Sequence, residues 1–413
     1  MSDAAPTASD SIPAARTDAP QSVGAAIRDF WNGLRAGDLG SLPIIFGLLV
    51  IVVIFSSKNE NFLTAGNFVN LMVQMAGVTT IAIGVVFVLL LGEIDLSVGF
   101  VSGVAGVTVA KLVLPDANQT SAFVAIAAAL VVGAAIGLLQ GTIVAKIGVP
   151  SFVVTLAGLL AWQGVVLLAI GEGGTIVIQD QRILDIANRF LSDRAGWLLA
   201  ALAIALYAGT KLLGILGRRR AGLPSGSLAV VGAKLVAFAA AILAVVAVSN
   251  RDRGFPLVGV IVAALLVFWT YVAKRTAFGR HVYAVGGNAE AARRSGINVD
   301  RVRIAVFMLC SAMAAFGGII LASRLFSVDT NAGGGTLLLD AIAAAVIGGT
   351  SLFGGRGEVK SALLGALVIV SVANGMGLLG LSAGLQFLVT GLILLAAVTV
   401  DSLSRKRLAA VGR

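Results

Sequence analysis

Long apolar runs separated by short polar segments recur along most of the chain. Most runs are about 17 to 25 residues long, and a helix of that length crosses a hydrocarbon core of about 30 Å. The runs lack the alternation of barrel strands, and a spanning segment must satisfy its own backbone hydrogen bonds. The pattern predicts an all-α, polytopic helical membrane protein. The predicted spans are 42–57, 68–91, 96–113, 121–145, 149–170, 195–216, 228–249, 256–273, 304–322, 337–349, 359–381 and 384–400.

The tenth predicted span, 337–349, is too short to cross a bilayer alone. We expect it either to be re-entrant or to merge with its neighbour, so the predicted number of spans is about 10 to 12. No stretch outside the apolar runs is long enough for a second hydrophobic core, which predicts one membrane domain over 41–403.

The composition agrees with this class, because 58% of the residues are hydrophobic and only 12% are charged. Soluble globular chains carry about a quarter charged residues. A net charge of +10 would suggest nucleic acid as a partner of a soluble protein, but in a membrane protein basic residues mark cytoplasmic loops. We therefore predict no nucleic-acid partner. The single Cys310 and single His281 exclude an internal disulfide and a Cys/His metal cluster.

The distribution of charge predicts the orientation. Most of the 30 Lys and Arg fall in segments that share a side with the N-terminus, which predicts that both termini are cytoplasmic. Residues 1–40 are rich in Ala, Ser, Asp, Thr and Pro and lack a signal-peptide core, so they are predicted to be a disordered cytoplasmic tail. Residues 404–413 are predicted to be a basic cytoplasmic tail.

A polar segment, KRTAFGRHVYAVGGNAEAARRSGINVDRVR at 274–303, separates two apolar runs and is here named the basic loop. Its Gly286-Gly287-Asn288 is typical of a turn, and Asn288 can cap a helix that begins at Ala289. Gly296 can end that helix. A helix of about two turns is too short to be stable alone, so it needs a partner surface.

Two interpretations of the basic loop stay open at this point. It is either a solvated connector or a surface on which a soluble protein docks. In the second case Glu290 would lie at the positive end of the helix dipole, and Arg293 and Arg294 would project from the last turn into the cytoplasm.

Acidic residues near the spans are candidates for a gate or pathway. In GEIDLSVG at 92–99, Glu93, Asp95 and Ser97 lie at the cytoplasmic end of two predicted spans, where water is near. Intramembrane acids are expensive and therefore functional by default, but Asp95 and Ser97 are also a reasonable helix start. Helix cap and substrate contact both remain possible, and Asp340 in the tenth segment has the same ambiguity.

Glycines and amides within the spans also allow two interpretations. Gly133, Gly137 and Gly141 recur every four residues on one helix face, which predicts close helix packing, with packing around a narrow path as the functional variant. Intramembrane amides commonly bond between helices, yet amides also suit the hydroxyls of an uncharged sugar. The possible sugar contacts are Gln74, Gln140, Gln163, Asn374 and Gln386.

Four stretches carry a resemblance to a known family. Glu290-Ala291-Ala292, three residues and then Gly296 resemble the coupling loop of ATP-binding-cassette importer permeases. The surrounding RTAFGRHVYAVGGNAEAARRSGINV resembles the branch that moves ribose, xylose and related simple sugars. GEIDLSVG, PSFVVTLAG at 150–158 and LDAIAAAVIGGTSLFGGRG at 339–357 agree, in the right order.

Within this family the chain most resembles the D-xylose permease subgroup. That subgroup has an acid at the position of Glu93, where ribose-type permeases have Gly, and an extra helix pair with a basic hinge, which matches 195–250 here. His281 departs from the Arg expected after Gly-Arg, and Phe353 is bulkier than the small residue expected.

The resemblance implies a permease subunit, and not an enzyme, that imports a pentose, D-xylose first, across a prokaryotic plasma (inner) membrane. ATP and Mg would be bound by a partner ATPase, because no P-loop sequence occurs and no Lys follows a Gly in this chain. The implied partners are that cytoplasmic ATPase, an extracytoplasmic sugar-binding protein, a second permease copy and membrane lipid. The implied ATPase-coupling residues are Glu290, Ala291, Ala292, Arg293, Arg294 and Gly296.

The main alternative is an ion-coupled secondary sugar transporter of the 6+6 type, which also has about 12 spans. That design places its long cytoplasmic loop after the sixth span, whereas the basic loop follows the eighth, and proton coupling favours more buried acids than this chain has. The interpretation as a membrane-embedded enzyme has less support, because no nucleophile–base pair or metal cluster is visible in the sequence. Composition alone leaves a passive channel open.

Overall fold

The computed structural model describes residues 42–115, 120–222 and 227–410, together with Gly24 and Arg28. For residues 401–410 it describes the backbone only. Apart from those two positions, the tail predicted at 1–40 lies outside the described residues, as do residues 411–413 of the predicted basic tail. Residues 404–410 continue the last helix.

The described chain is almost entirely helical. The helices are α1 (Leu42–Lys58), α2 (Ala65–Leu90), α3 (Val98–Leu112), α4 (Ala122–Thr142), α5 (Ser151–Ile170), α6 (Gln181–Asn188), α7 (Asp193–Arg220), α8 (Leu228–Ser249), α9 (Leu257–Arg275), α10 (Ala277–Gly287), α11 (Ala289–Arg294), α12 (Val299–Leu325), α13 (Leu337–Ile347), α14 (Lys360–Leu378) and α15 (Ala383–Ala410). A π-helical turn, Ile143–Ile147, continues α4. Strands β1 (Thr175–Val177) and β2 (Ser327–Asp329) pair antiparallel, with Ile176 opposite Val328.

The predicted all-α membrane fold is confirmed, because every predicted span coincides with an apolar helix in the same order. Eight of the described helices are long and apolar enough to cross a membrane. Four apolar helices are shorter. One of them, α3, has 15 residues and a length of about 22 Å, whereas the predicted span was 96–113. The shorter apolar helices are Ile44–Lys58, Val98–Leu112, Leu337–Ile347 and Ala383–Ala396.

Two helices, α6 and α10, lie in segments that were predicted to be loops. Both mix polar and apolar residues over 8 and 11 positions, so neither shows a span-length apolar run. Each nevertheless has a capping residue, since the side chains of Asp180 and Thr276 accept hydrogen bonds from the first-turn backbone. These caps were the available signal.

The chain divides into two compact units, one of residues 39–197 and 245–413 and one that contains residues 198–244. The larger unit is built around α2 and α12. In the spanning part of α2, 94% of the residues are buried, and in that of α12, 67% are buried. In the spanning part of α5 only 22% of the residues are buried. Leu156, Leu160 and Leu168 of α5 are exposed, as expected of a surface that contacts lipid.

The glycine stripe of α4 packs against α12, which confirms the packing interpretation. A methyl group at Gly137 would overlap the carbonyl oxygen of Phe307, and one at Gly133 would lie 2.6 Å from Cβ of Ala315. Gly141 likewise leaves no room beside Phe307. The absence of side chains lets the two backbones approach closely.

The larger unit has two ends that the length of α12 keeps apart. This helix begins next to the basic loop and ends next to β2, about 40 Å away for its 27 residues. We name these the basic-loop end and the sheet end.

The segment predicted to be re-entrant, or to merge with its neighbour, forms the short helix α13 and does not merge with α14. The 11-residue α13 starts near the sheet end, and the chain then continues without helical structure to the basic-loop end, where the hydroxyl of Tyr283 donates to the carbonyl oxygen of Gly357 at 2.8 Å. The non-helical residues 348–359 separate α13 from α14, and a re-entrant course for this segment stays a prediction.

The smaller unit is a helical hairpin formed by parts of α7 and α8. The rings of Tyr207 and Phe238 stack at 4.5 Å between centroids, and the Lys211 ammonium lies 5.1 Å from the Tyr207 ring. The loop predicted at 217–227 begins later than expected, because α7 continues to Arg220. Residues 223–226 of that loop lie outside the described residues.

Candidate functional site

Helix α11 lies at the centre of the basic loop with the predicted boundaries. The side chain of Asn288 accepts a hydrogen bond from the backbone N–H of Ala291 at 2.9 Å, which caps the helix as predicted. Gly296 follows the helix with φ +82°, in the left-handed region that glycine enters at little cost. The N–H of Ile297 donates to the carbonyl oxygen of Ala292, which closes the C-terminal turn.

The side chains of α11 divide into an anchor and an exposed face. Ala292 is buried against the unit, whereas Ala291 is exposed. Glu290 lies 3.4 Å from Arg293 and 3.2 Å from Arg294, so both guanidinium groups are drawn back toward the first turn. All three side chains are more than half exposed and form a compact charged surface, with Ala292 holding the helix in place.

The rest of the basic loop is folded onto the unit and is not an open loop. Gly286 and Gly287, predicted to form a turn, end α10. Lys274 donates to Glu358 at 2.7 Å. Partial burial alone would raise the pKa of Glu358, but the hydrogen bonds from Lys274 and Lys360 hold that pKa below its ordinary value.

An irregular segment, residues 91–97, connects α2 to α3 and is here named the hinge. The N–H of Ile94 donates to the hydroxyl of Ser151 at 3.3 Å, and the hydroxyl of Thr155 donates to the carbonyl oxygen of Ile94 at 3.3 Å. Side chains of PSFVVTLAG thus satisfy the backbone of GEIDLSVG, as irregular chain among apolar helices requires. Two of the motifs meet here in space.

Asp95 is buried, although we expected water near this motif. Its Oδ1 accepts hydrogen bonds from the N–H and hydroxyl of Ser97, at 2.9 and 2.6 Å. The N-cap residue of α3 is Ser97, whose side chain makes no cap hydrogen bond, and the helix starts two residues later than predicted, so Asp95 is not the cap of this helix. The Ser97 hydroxyl also lies 3.0 Å from Oε1 of Gln140.

Glu93 faces a different neighbour. Its Oε1 lies 3.1 Å from Nε of Arg303 in α12, within ion-pair distance, although the N–H is not directed for a hydrogen bond. The side chains are 15% and 28% exposed, so the pair is only partly screened by water. Glu93 therefore links the hinge to the helix that follows the basic loop.

A cavity of about 690 Å³ lies at the sheet end of the larger unit. Residues of α2, α3, α12 and α13 line it, together with the chain between β2 and α13. Its lining includes Gly103 and Gly106, and Gln74, Ser102 and Asn331 add polar side chains. The cavity offers hydrogen-bonding groups for an uncharged polar molecule.

Of the five amides predicted as sugar contacts, Gln74 lines this cavity. Asn374 lies behind it and donates to Asn67 at 2.9 Å, with Gln74 at 3.4 Å. Gln386 donates to the carbonyl oxygen of Leu381. Gln140 belongs to the Asp95 cluster, and Gln163 lies in the half-buried part of α5. The interpretation that intramembrane amides form hydrogen bonds between helices fits Asn374 and Gln140.

Three charged residues, Arg324, Asp329 and Asp340, line the cavity as well. Asp340 accepts a hydrogen bond from the hydroxyl of Thr336 at 2.7 Å, so the structure places this pathway candidate at the cavity wall. Arg324 was not among the residues predicted to line a pathway, so sequence reasoning missed its place in the wall. Its position in the last turn of a long apolar helix was the only signal available.

Comparison with known proteins places these features in a family. The family model for the branched-chain amino acid transport system / permease component matches residues 67–398. The chain is 39% identical over 383 residues to the xylose transport system permease protein XylH of Escherichia coli (strain K12), which covers 91% of this chain and 95% of that protein. No solved structure matches at a significant level.

Other relatives agree. XylH of Haemophilus influenzae is 36% identical over 379 residues, covering 91% of this chain and 99% of its own length. The ribose import permease protein RbsC of Escherichia coli (strain K12) is 35% identical over 358 residues, covering 87% of this chain and 92% of its own length. The chain therefore belongs to the importer permease family that its four motifs indicate, of which the xylose and ribose permeases are members.

Proposed function

We propose that this chain is the membrane-spanning subunit of an ATP-driven importer that moves a pentose, D-xylose first, into the cytoplasm. The observation that carries this proposal is the placement of an exposed, capped helix at one end of the unit and a polar cavity at the other. The similarity to xylose permeases over 91% of the chain supports the substrate.

The proposed ATPase docks on α11. The charged face of Glu290, Arg293 and Arg294 is free to enter a groove, while the buried Ala292 transmits force to the rest of the unit. This orientation makes the basic-loop end cytoplasmic, and both termini with it. ATP and Mg are bound by that partner, because this chain has no P-loop sequence.

The proposed sugar-binding protein delivers its ligand at the sheet end. The cavity lies there, and Gln74 and Asp340 provide an amide and a carboxylate for sugar hydroxyls. A second copy of the chain completes the pathway between the two subunits. The apolar helices support a location in a prokaryotic plasma (inner) membrane, with lipid around α5 and the hairpin.

Reconstitution in liposomes tests the proposal. The whole transporter, which contains this chain, is purified from cells that produce it and is placed in liposomes. Uptake of D-xylose and ribose is then measured with ATP inside the liposomes and without ATP. We expect D-xylose uptake to require ATP and to persist when the proton gradient is collapsed. Uptake that tracks an imposed pH gradient without ATP would contradict the importer and favour the ion-coupled alternative.

A further inference from the structure

Three chain segments meet through backbone alone at the basic-loop end. The C-terminus of α10 lies so close to the C-terminus of α2 that a methyl group at Gly286 would overlap the carbonyl oxygen of Leu90. The same methyl group would lie 3.0 Å from the backbone nitrogen of Gly355. No side chain fits at Gly286 without moving one of these segments.

The loop after α13 closes the third side. The N–H of Gly355 donates to the carbonyl oxygen of Leu90 at 2.9 Å. A methyl group at Gly354 would lie 2.9 Å from both the carbonyl oxygen of Gly286 and the nitrogen of Gly92. We name these five residues, Leu90, Gly92, Gly286, Gly354 and Gly355, the glycine junction.

The junction connects the two features that transport has to couple. On one side, α10 ends at Gly287 and α11 begins two residues later, at Ala289. On the other side, Gly92 is part of the hinge. The left-handed φ of Gly92, +77°, turns the chain away from α2. A displacement of α11 therefore reaches the hinge across a single layer of backbone contacts.

Backbone contact matters mechanically. Side chains between two segments can change rotamer and absorb a small displacement, whereas close-packed backbone has low compressibility and transmits it. Glycine is the residue that allows such contact, at the cost of conformational freedom in the unfolded chain.

We propose that Gly286 is a positioning residue for transport, whose missing side chain keeps the end of α10 in backbone contact with Leu90 and passes movement of α11 to the hinge. The proposal rests on the proposed function, since it assumes that α11 receives the movement of an ATPase. It adds the path by which that movement enters the spans.

The adjacent glycine provides a matched control. A methyl group at Gly287 would meet nothing within 4 Å, so Gly287→Ala changes the same helix end without touching the junction. In the assembled transporter in liposomes, Gly286→Ala is expected to keep ATPase association and basal hydrolysis, while sugar-stimulated hydrolysis and uptake fall about tenfold. Gly287→Ala is expected to match the wild type.

A second pair separates crowding of the junction from backbone strain. Gly354 and Gly349 both have left-handed φ, +86° and +102°, but only Gly354 belongs to the junction, and a methyl group at Gly349 would meet nothing within 4 Å. Gly354→Ala is expected to lose coupling, and Gly349→Ala to lose stability without losing coupling. Equal coupling in these two variants would overturn the proposal, as would uptake by Gly286→Ala within twofold of the wild type.

Loss of ATPase association by Gly286→Ala would also overturn it, because the residue would then hold the docking surface. If Gly286→Ala does not fold, hydrogen–deuterium exchange on the wild-type transporter decides. A nonhydrolysable ATP analogue is expected to change exchange in the hinge together with the basic loop, and a response of the basic loop alone would overturn the proposal. Absence of uptake by both the wild type and Gly287→Ala would instead mean that the proposed function is wrong.

Discussion

Oε1 of Glu93 lies 3.1 Å from Nε of Arg303, and this ion pair joins the hinge to the second turn of α12. Because α12 starts at Val299, within the basic loop, and Arg303 is the last residue of that loop, the pair is a second connection between the hinge and the basic loop. The glycine contacts act by shape and the ion pair acts by charge, so variants can test them independently.

Glu93→Gln and Arg303→Gln are each expected to lower the free energy of unfolding by about 1 to 2 kcal/mol, because each leaves a partly buried charge without its partner. The double variant is expected to cost less than the sum of the two. Chemical unfolding in detergent measures the cycle, with the exposed Arg301→Gln as a control that should change little. Additive single effects would show that the pair contributes nothing.

Gly296→Val is expected to disturb α11 by about 1 to 3 kcal/mol, since a branched residue is strained at φ +82° even though the space around it is open. Membrane insertion should stay near normal, while ATPase association and uptake are lost together. Gly287→Val, at a position without left-handed φ, is the control. Retention of both activities by Gly296→Val would favour the solvated-connector interpretation.

Glu290→Lys is expected to abolish ATPase association for an electrostatic reason. The change opposes the helix dipole and places three cations together, because Arg293 and Arg294 lose their acidic neighbour. Glu290→Gln removes the charge without reversing it and is expected to have a smaller effect. Pull-down of the ATPase compares the two, and equal binding by both variants would argue against docking at this face.

Gln74→Leu is expected to lower sugar uptake about fivefold, through loss of one hydrogen bond of about 1 kcal/mol in the cavity. The matched control is Gln163→Leu, which changes the same amide outside the cavity wall. Uptake at subsaturating sugar measures the difference. A larger loss in the control would place the sugar path elsewhere.

Cysteine at Ser225, in a Cys310→Ser background, is expected to resist an impermeant thiol reagent added from outside. Arg218, Arg219 and Arg220 precede this loop and oppose its translocation. Cysteine at the exposed Glu172, near the sheet end, is the positive control and should be labelled. Labelling at Ser225 from outside would show that the predicted orientation of this half of the chain is wrong.

Local chemistry made some features predictable. The apolar runs predicted every membrane-length helix, since lipid requires each span to satisfy its own backbone. The boundaries of α11 were predictable because Asn288 caps the helix and Gly296 takes a conformation that side chains resist. The stripe of Gly133, Gly137 and Gly141 predicted close packing, but not its partner.

The sequence by itself determined the membrane-length helices, the boundaries of α11 and the family, because caps, glycines and apolar runs act within a few residues along the chain. Only the tertiary structure decided that Asp95 is buried, that Gln74 and Arg324 line the cavity, and that Gly286 rests on Leu90. Those relationships join residues far apart in the chain. They depend on which helices pack together, and every apolar run offers lipid and neighbouring helices a similar face.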